Sequence, residues 1–258
     1  MDVGTPGQRV IVTAGAGGIG RAIATTFAAN GARVFVCDVA APALDALGRD
    51  HPAIGRIVAD VSKRGDVDRL FDAALAQLGG LDVLVNNAGI AGPTAPVEEV
   101  DPDDWVRTMD INITGMFYCT RRAVPALKQA GGGSIVNLSS AAGRLGFPLR
   151  SPYAASKFAV VGFSESLAME LGPANIRVNA ICPGIVEGER IDRVIGAKAK
   201  ALGISFEEQR ERQLSRVSLR RMVTAQDIAN MALFLASDAG RNISGQKLAV
   251  CGNVETLG

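Results

Sequence analysis

Residues 9–20 read Arg9-Val10-Ile11-Val12-Thr13-Ala14-Gly15-Ala16-Gly17-Gly18-Ile19-Gly20. A β-branched apolar run ends in a glycine-rich turn, and a helix-period segment, Gly20–Ala29, opens at once. Glycines at such a junction permit a tight turn and let backbone N–H groups approach a pyrophosphate at the helix N-terminus. Taken alone, the turn would suit any close strand-to-helix connection. Its surroundings narrow the reading. A second strand, Arg33–Asp38, ends in a carboxylate placed to accept hydrogen bonds from the ribose hydroxyls of an adenosine half; the other use of Asp38 is to cap a following helix. Val39 follows the acid, and Gly17 stands where a basic residue could have gripped an extra phosphate. NAD rather than NADP is therefore the expected cofactor.

Working outward, short β-branched runs alternate with helix-period segments. The expected strands are Arg9–Thr13, Arg33–Asp38, Ile57–Asp60, Leu81–Asn86, Ser134–Ser139, Arg177–Ile181 and Lys247–Val250. The expected helices include Gly20–Ala29, Asp66–Leu78, Trp105–Gln129, Tyr153–Leu171 and Ala225–Ser237. Continuous apolar strands separated by helices predict a parallel sheet covered on both faces. With no internal repeat or linker-like boundary, the expectation is a single doubly wound α/β domain of Rossmann type over 1–258. Its seven-stranded parallel sheet would carry helices on both faces. Residues 186–216, rich in charge of both signs, exceed the usual strand-to-helix connection. They are expected to form a substrate lid, the alternative being a decorated surface excursion.

Composition excludes several classes. Hydrophobic residues make up 48% of the 258 and charged residues 21%, with a net charge of +1, so no basic field points to nucleic acid. Cys37, Cys119, Cys182 and Cys251 form no Cys-x-x-Cys pair and His51 is the sole histidine, so no metal site is expected. Scattered cysteines suit a reducing compartment. The N-terminal stretch has no signal-peptide pattern, and no apolar run approaches the ~20 residues that cross a bilayer. The expectation is a cytoplasmic protein with no membrane or nucleic-acid partner.

Tyr153 and Lys157 stand four apart in Tyr-Ala-Ala-Ser-Lys, so on a helix they share a face. A nearby ammonium and the positive nicotinamide of an oxidised cofactor would favour the phenolate and make the tyrosine a base. Ser140 closes the fifth strand, where ligand crevices of such sheets open, and its hydroxyl could hold a substrate oxygen against the tyrosine.

These residues resemble the short-chain dehydrogenase/reductase family in its compact form, over nearly the whole chain. The family turn is matched by Thr13, Gly18 and Gly20, with Gly15 and Ile19 inside it. The resemblance implies that Asp60, with Val61, meets the adenine. It also implies that Asn86-Asn87-Ala88-Gly89 stabilises the central strand beside the cofactor. It implies a tetrad of Asn112, Ser140, Tyr153 and Lys157. In it Tyr153 is the general acid/base, Ser140 polarises the substrate oxygen, Lys157 binds the nicotinamide ribose, and Asn112 holds a relay water. Pro183-Gly184 would meet the nicotinamide, Val186 supplying a backbone contact. Three positions depart from the family pattern: Ala14 replaces the first turn glycine, Gly188 a threonine, and Val250-Cys251-Gly252-Asn253 an Asp-Gly-Gly tail.

The implied activity is interconversion of a secondary alcohol and a ketone, a small-molecule substrate. The alternatives are a 3-oxoacyl-carrier reductase, which would favour NADP, and a non-catalytic NAD-binding regulator. The expected pocket wall comprises Ala141, Arg144, Phe147 and Leu149, with Glu187, Arg190 and Ile191 from the lid. Its arginines would receive an anionic substrate or serve as solvated rim charges. The helix Tyr153–Leu171 is apolar around its circumference, which predicts packing against a second copy in a homotetramer.

Overall fold

The computed structural model describes residues 3–257; positions 1, 2 and 258 and the side chains of Glu189, Arg190, Ala197, Lys198 and Ala201 lie outside that description. Seven strands, β1 (Arg9–Thr13), β2 (Arg33–Asp38), β3 (Gly55–Val58), β4 (Val83–Asn86), β5 (Gly133–Leu138), β6 (Ile176–Pro183) and β7 (Lys247–Val250), make one sheet in the order β3-β2-β1-β4-β5-β6-β7. Every neighbouring pair is parallel. The order reverses between β1 and β4, and a crevice opens there outside the carboxyl ends of the strands.

The two-residue period of an extended chain assigns each strand residue to a face. Val10, Val12, Val34, Val36, Val83, Val85, Val136 and Leu138 point to one side, Ile11, Phe35, Leu84, Ile135 and Val178 to the other. The first side is covered by Ile23, Ala24 and Phe27 of α1 (Gly18–Ala29), by Leu44 and Leu47 of α2 (Ala41–Asp50), and by a later helix, Ala225–Ala236. The second receives Val67, Leu70, Phe71 and Ala74 of α3 (Arg64–Leu78), and residues from two helices described next. Burying each Leu, Ile or Phe contributes about 1.5–3 kcal/mol, and truncating Ile11 or Phe71 would cost about 2–5 kcal/mol once the cavity is counted.

Where a single helix Trp105–Gln129 is expected, the chain forms α4 (Pro102–Met109), a π turn at Asp110–Thr114, and α5 (Gly115–Gln129). Asp101 caps α4 by accepting from the Asp103 N–H at 2.8 Å. Beyond it lie α6 (Ser151–Leu171), α7 (Glu189–Leu202), α8 (Phe206–Leu214) and α9 (Ala225–Ala236). α9 opens on a reciprocal capping box between Thr224 and Asp227.

The bounds of β3 also need correction, and the structure adds helices that the sequence reading did not place. β3 starts two residues before the expected Ile57 and ends before Asp60, because Ala59 and Asp60 turn away towards α3 and the Asp60 N–H donates to the Asp66 carboxylate at 3.0 Å. α2 went unread because its apolar stripe is only Leu44 and Leu47. Residues 186–216 hold two helices, α7 ending on left-handed Gly203 (φ 66°) and α8 starting at Ser205, which accepts from the Glu208 N–H at 3.0 Å. Among the described residues no helix is long and apolar enough to cross a membrane.

Candidate active site

The glycine-rich turn is stapled to the end of β4. Thr13 Oγ1 accepts from the N–H groups of Asn87 (2.9 Å) and Ala88 (3.0 Å), and the Asn87 amide donates to the Thr13 and Ala14 carbonyls, each at 3.0 Å. A Cβ on Gly20 would lie 2.0 Å from the Ala14 oxygen, and one on Gly15 would lie 2.6 Å from Val36 Cβ. The departure at Ala14 thus has a structural form: the left-handed step falls on Ala14 (φ 50°), while Gly15 gives the room β2 demands. Beside Gly17 and Gly18 a Cβ would meet nothing, and no side chain caps α1. Its first-turn N–H groups, around Gly18, Ile19 and Gly20, therefore form an open donor set that fits a diphosphate.

Asp38 joins this turn to α2. Its Oδ2 accepts from the Ala16 N–H at 3.2 Å and its Oδ1 from the Ala40 N–H at 3.0 Å. The cap position of α2 is Ala40, so Asp38 lies two residues before it and is not the capping residue. Asp60 accepts from the Ser62 N–H (3.0 Å) and hydroxyl (2.7 Å). Val61 is buried against Gly115, where a Cβ would meet Val61 Cγ2 at 2.8 Å.

The π turn has a clear local consequence. Asn112 is fully buried, its Oδ1 accepting from the Ile90 N–H at 2.7 Å and its Nδ2 donating to the Ile90 carbonyl (3.0 Å) and Ser156 Oγ (2.9 Å). Ser156 Oγ in turn donates to the Tyr153 carbonyl at 2.7 Å. Asn112 thereby ties the loop after β4 to the turn of α6 that carries the tyrosine. Both amide hydrogens are committed, so the implied relay water would need the remaining lone pair of Oδ1 or the main-chain carbonyl.

Lys157 is 4% exposed, and its Nζ donates to the Leu138 carbonyl at 2.8 Å and lies 5.8 Å from the centre of the Tyr153 ring. Ser139 Oγ donates to the Lys157 carbonyl at 2.8 Å, a second tie between β5 and α6. Gly89 packs here, since a Cβ on it would lie 3.3 Å from Lys157 Nζ. Ser140 Oγ accepts from the Ala142 N–H at 3.2 Å, and among the described residues no acceptor takes its hydrogen. Tyr153 is half-buried, and its hydroxyl makes no hydrogen bond among the described residues. A hydroxyl with a proton to give and a phenol with an unengaged oxygen suit a substrate oxygen.

Pro183 ends β6, and Gly184 follows against Cys251, whose Cβ a Gly184 Cβ would meet at 2.7 Å. Val186 is half-buried and forms a parallel bridge with Val223. Gly188 has φ 137°, a conformation L side chains rarely adopt, which accounts for glycine where the family pattern has threonine. Of the expected pocket wall, Ala141 is buried, Phe147 and Ile191 half-buried, and Arg144, Leu149 and Glu187 exposed. The side chain of Arg190 lies outside the described residues. All four cysteines are buried, and burial pushes the Cys37 thiol up to about 12. Among the described residues no group of three or more His, Cys, Asp or Glu could hold a metal ion.

One neighbour of the tyrosine was not read from sequence. Arg150, just before α6, donates from Nη2 to the Ala91 carbonyl at 2.7 Å, and its guanidinium carbon lies 5.3 Å from the Phe147 ring centre and 5.4 Å from that of Tyr153. A lone arginine ahead of a helix has no periodic signature.

Comparison with known proteins places this architecture. The family described as Enoyl-(Acyl carrier protein) reductase matches residues 14–253. The trans-4-hydroxycyclohexanecarboxylate dehydrogenase of Sinomonas cyclohexanicum is 39% identical, the match covering 96% of this chain and 92% of that one. The structure of an NAD+-bound xylitol dehydrogenase superposes with a TM-score of 0.90 at 30% identity, over 96% of this chain and 99% of that one. A variant actinorhodin polyketide ketoreductase with NADPH superposes with a TM-score of 0.91 at 33% identity, over 98% of this chain and 99% of that one.

Proposed function

This chain belongs to the short-chain dehydrogenase/reductase family, and from that premise we propose that it interconverts a secondary alcohol and a ketone with NAD, using Tyr153 as the proton-transfer group. It is a nicotinamide-dependent oxidoreductase; the choice of NAD, the residue roles and the assembly state are the proposal. The observation that carries it is the Tyr153 ring held 5.8 Å from the Lys157 ammonium, which is itself bonded to the Leu138 carbonyl at the carboxyl end of β5.

A nicotinamide bound in the crevice would supply the hydride chemistry, as acceptor for alcohol oxidation and as donor for ketone reduction. In oxidation, the Tyr153 phenolate removes the hydroxyl proton; in reduction, the phenol gives it back. The Ser140 hydroxyl donates to the substrate oxygen and holds it against Tyr153. The buried Lys157 ammonium would set positive charge beside the Tyr153 ring and bind the nicotinamide ribose. Asn112 keeps the loop after β4 in register with α6. Gly15, Gly18, Ile19 and Gly20 would hold the pyrophosphate, Asp60 and Val61 the adenine side. Asn87, Ala88 and Gly89 would line the crevice floor, and Pro183, Gly184 and Val186 the nicotinamide side.

Asp38 supports NAD over NADP, because its carboxylate sits where the 2′-phosphate would bring like charge. The reading extends to one catalytic domain over 1–258 with 186–216 as its lid, working as a homotetramer in the cytoplasm. The test is a panel of secondary alcohols, cyclic hydroxy acids and polyols included, with NAD and read as NADH absorbance. Protein that binds NAD and oxidises no member would favour the regulator.

A further inference from the structure

We propose that Arg150 is a positioning residue for Tyr153, fixing the ring in place and setting a second positive charge beside it. The inference rests on the reading of Tyr153 as the proton-transfer group. Three segments converge on this guanidinium: the loop after β4 through the Ala91 carbonyl (2.7 Å), the turn after β5 through the Phe147 ring (5.3 Å), and α6 through the Tyr153 ring (5.4 Å). A second link, from the Ala95 N–H to the Leu149 carbonyl at 3.0 Å, closes the same loop on the residue before Arg150. A planar, permanently charged group can stack on aromatic faces while an edge N–H donates to a carbonyl, and lysine cannot do both.

The charges around the ring define what Arg150 adds. Lys157, four residues after Tyr153, is anchored on Leu138; Arg150, three residues before it, is anchored on Ala91. Each lies within 6 Å of the ring centre, Lys157 Nζ at 5.8 Å and the Arg150 guanidinium carbon at 5.4 Å. The packed elements also bring Arg144 after β5 and Glu187 after β6, both exposed, and half-buried Asp110 from the π turn. Arg150 thus adds a second anchored cation beside the ring. Lys157 alone would leave the ring held only along the helix; Arg150 ties it to the loop that carries Gly89 and Ile90.

The experiment compares wild type with Arg150→Met and Arg150→Lys, measuring kcat and KM for alcohol oxidation against pH, with NAD titration by fluorescence and a thermal melt. Arg150→Met should lower kcat by about tenfold with KM within about twofold, the split expected when the ring that moves the proton is no longer held. NAD affinity should stay within about twofold, since the Ala91, Phe147 and Tyr153 contacts of Arg150 lie outside the glycine-rich turn. Arg150→Lys, which keeps a cation but cannot stack on the rings while donating to Ala91, should recover only part of the rate. An unchanged kcat in Arg150→Met overturns the proposal, and so does a loss confined to KM, which would make Arg150 a contact to an anionic substrate. Normal turnover by Tyr153→Phe overturns the underlying reading instead, so the two failures are told apart.

Discussion

Gly20 and Ala14 are in backbone contact: a Cβ on Gly20 would lie 2.0 Å from the Ala14 carbonyl oxygen and 2.5 Å from the Asn87 amide nitrogen that bonds it. The first is backbone, and the second is a side-chain end pinned by its bonds to the Thr13 and Ala14 carbonyls. Gly20→Ala should therefore push α1 off the turn, lowering stability by at least about 1–3 kcal/mol, the range for overpacking, and weakening NAD binding. A thermal melt with an NAD titration checks both, and wild-type behaviour in the two would show that the turn can shift.

Asp38 should give NAD at least a tenfold advantage over NADP in kcat/KM, about 1.4 kcal/mol of transition-state binding. Asp38→Ala should shrink that ratio by removing the like charge. The variant should also lose some stability, because the carboxylate accepts from the Ala16 and Ala40 N–H groups. Steady-state kinetics with both cofactors measure the ratio, and equal efficiency in the wild type would remove this role.

Acid stability has a named contributor at the foot of β1. Arg9 meets Asp82 with its backbone N–H (2.8 Å), Nε (2.8 Å) and Nη2 (2.6 Å). Burial alone would push the Asp82 carboxyl up, but the Arg9 hydrogen bonds and charge outweigh it and hold the carboxyl below its ordinary value. A depressed carboxylate contributes stability above its unfolded pKa, near ~4, and loses it as pH falls through the folded value. Asp82→Asn should thus lower Tm by about 2–8 °C at pH 7, and the gap to wild type should narrow below about pH 4. A gap that widens on acidification would contradict the assignment.

Phe117 on α5 and Phe158 and Met169 on α6 are 46%, 47% and 83% exposed, and Phe158 and Met169 recur on the same side of α6. Covered by further copies, this side gives the proposed tetramer. Sedimentation at micromolar concentration should show a species of four times the 26.8 kDa chain; a monomer would contradict it.

Much of this was legible in the residues themselves. β1, β2 and β7 fall where their apolar runs stop at a turn or a charged residue, and the Tyr153–Lys157 spacing places both on one turn of α6. What escaped the sequence depends on contacts distant along the chain. The π turn leaves no mark on the apolar period of residues 105–129, because what it positions is Asn112 against Ile90 and Ser156. Asn137, bonded to Asn86 at 2.9 Å and Ser164 at 2.9 Å, joins β4, β5 and α6 through a buried polar chain. Such partners are visible only once the strands are side by side. The 186–216 segment read as a charged insertion because Ile195, Ala199 and Leu214 are its few buried apolar anchors among the described residues. Arg150 escaped because its meaning lies in Ala91 and Phe147, not in its neighbours along the chain.

The central claim is that Tyr153 transfers the proton, and Tyr153→Phe tests it most directly because the ring's packing survives while only the phenol goes. The measurement is NADH formation across pH for wild type and variant, with an alcohol identified by the panel, beside an NAD titration by fluorescence. NAD binding should be retained, turnover should fall by about 10²–10⁴, the usual contribution of general acid/base catalysis, and the wild-type rise with pH should vanish in the variant. A Tyr153→Phe protein that oxidises the alcohol at the wild-type rate would contradict the account.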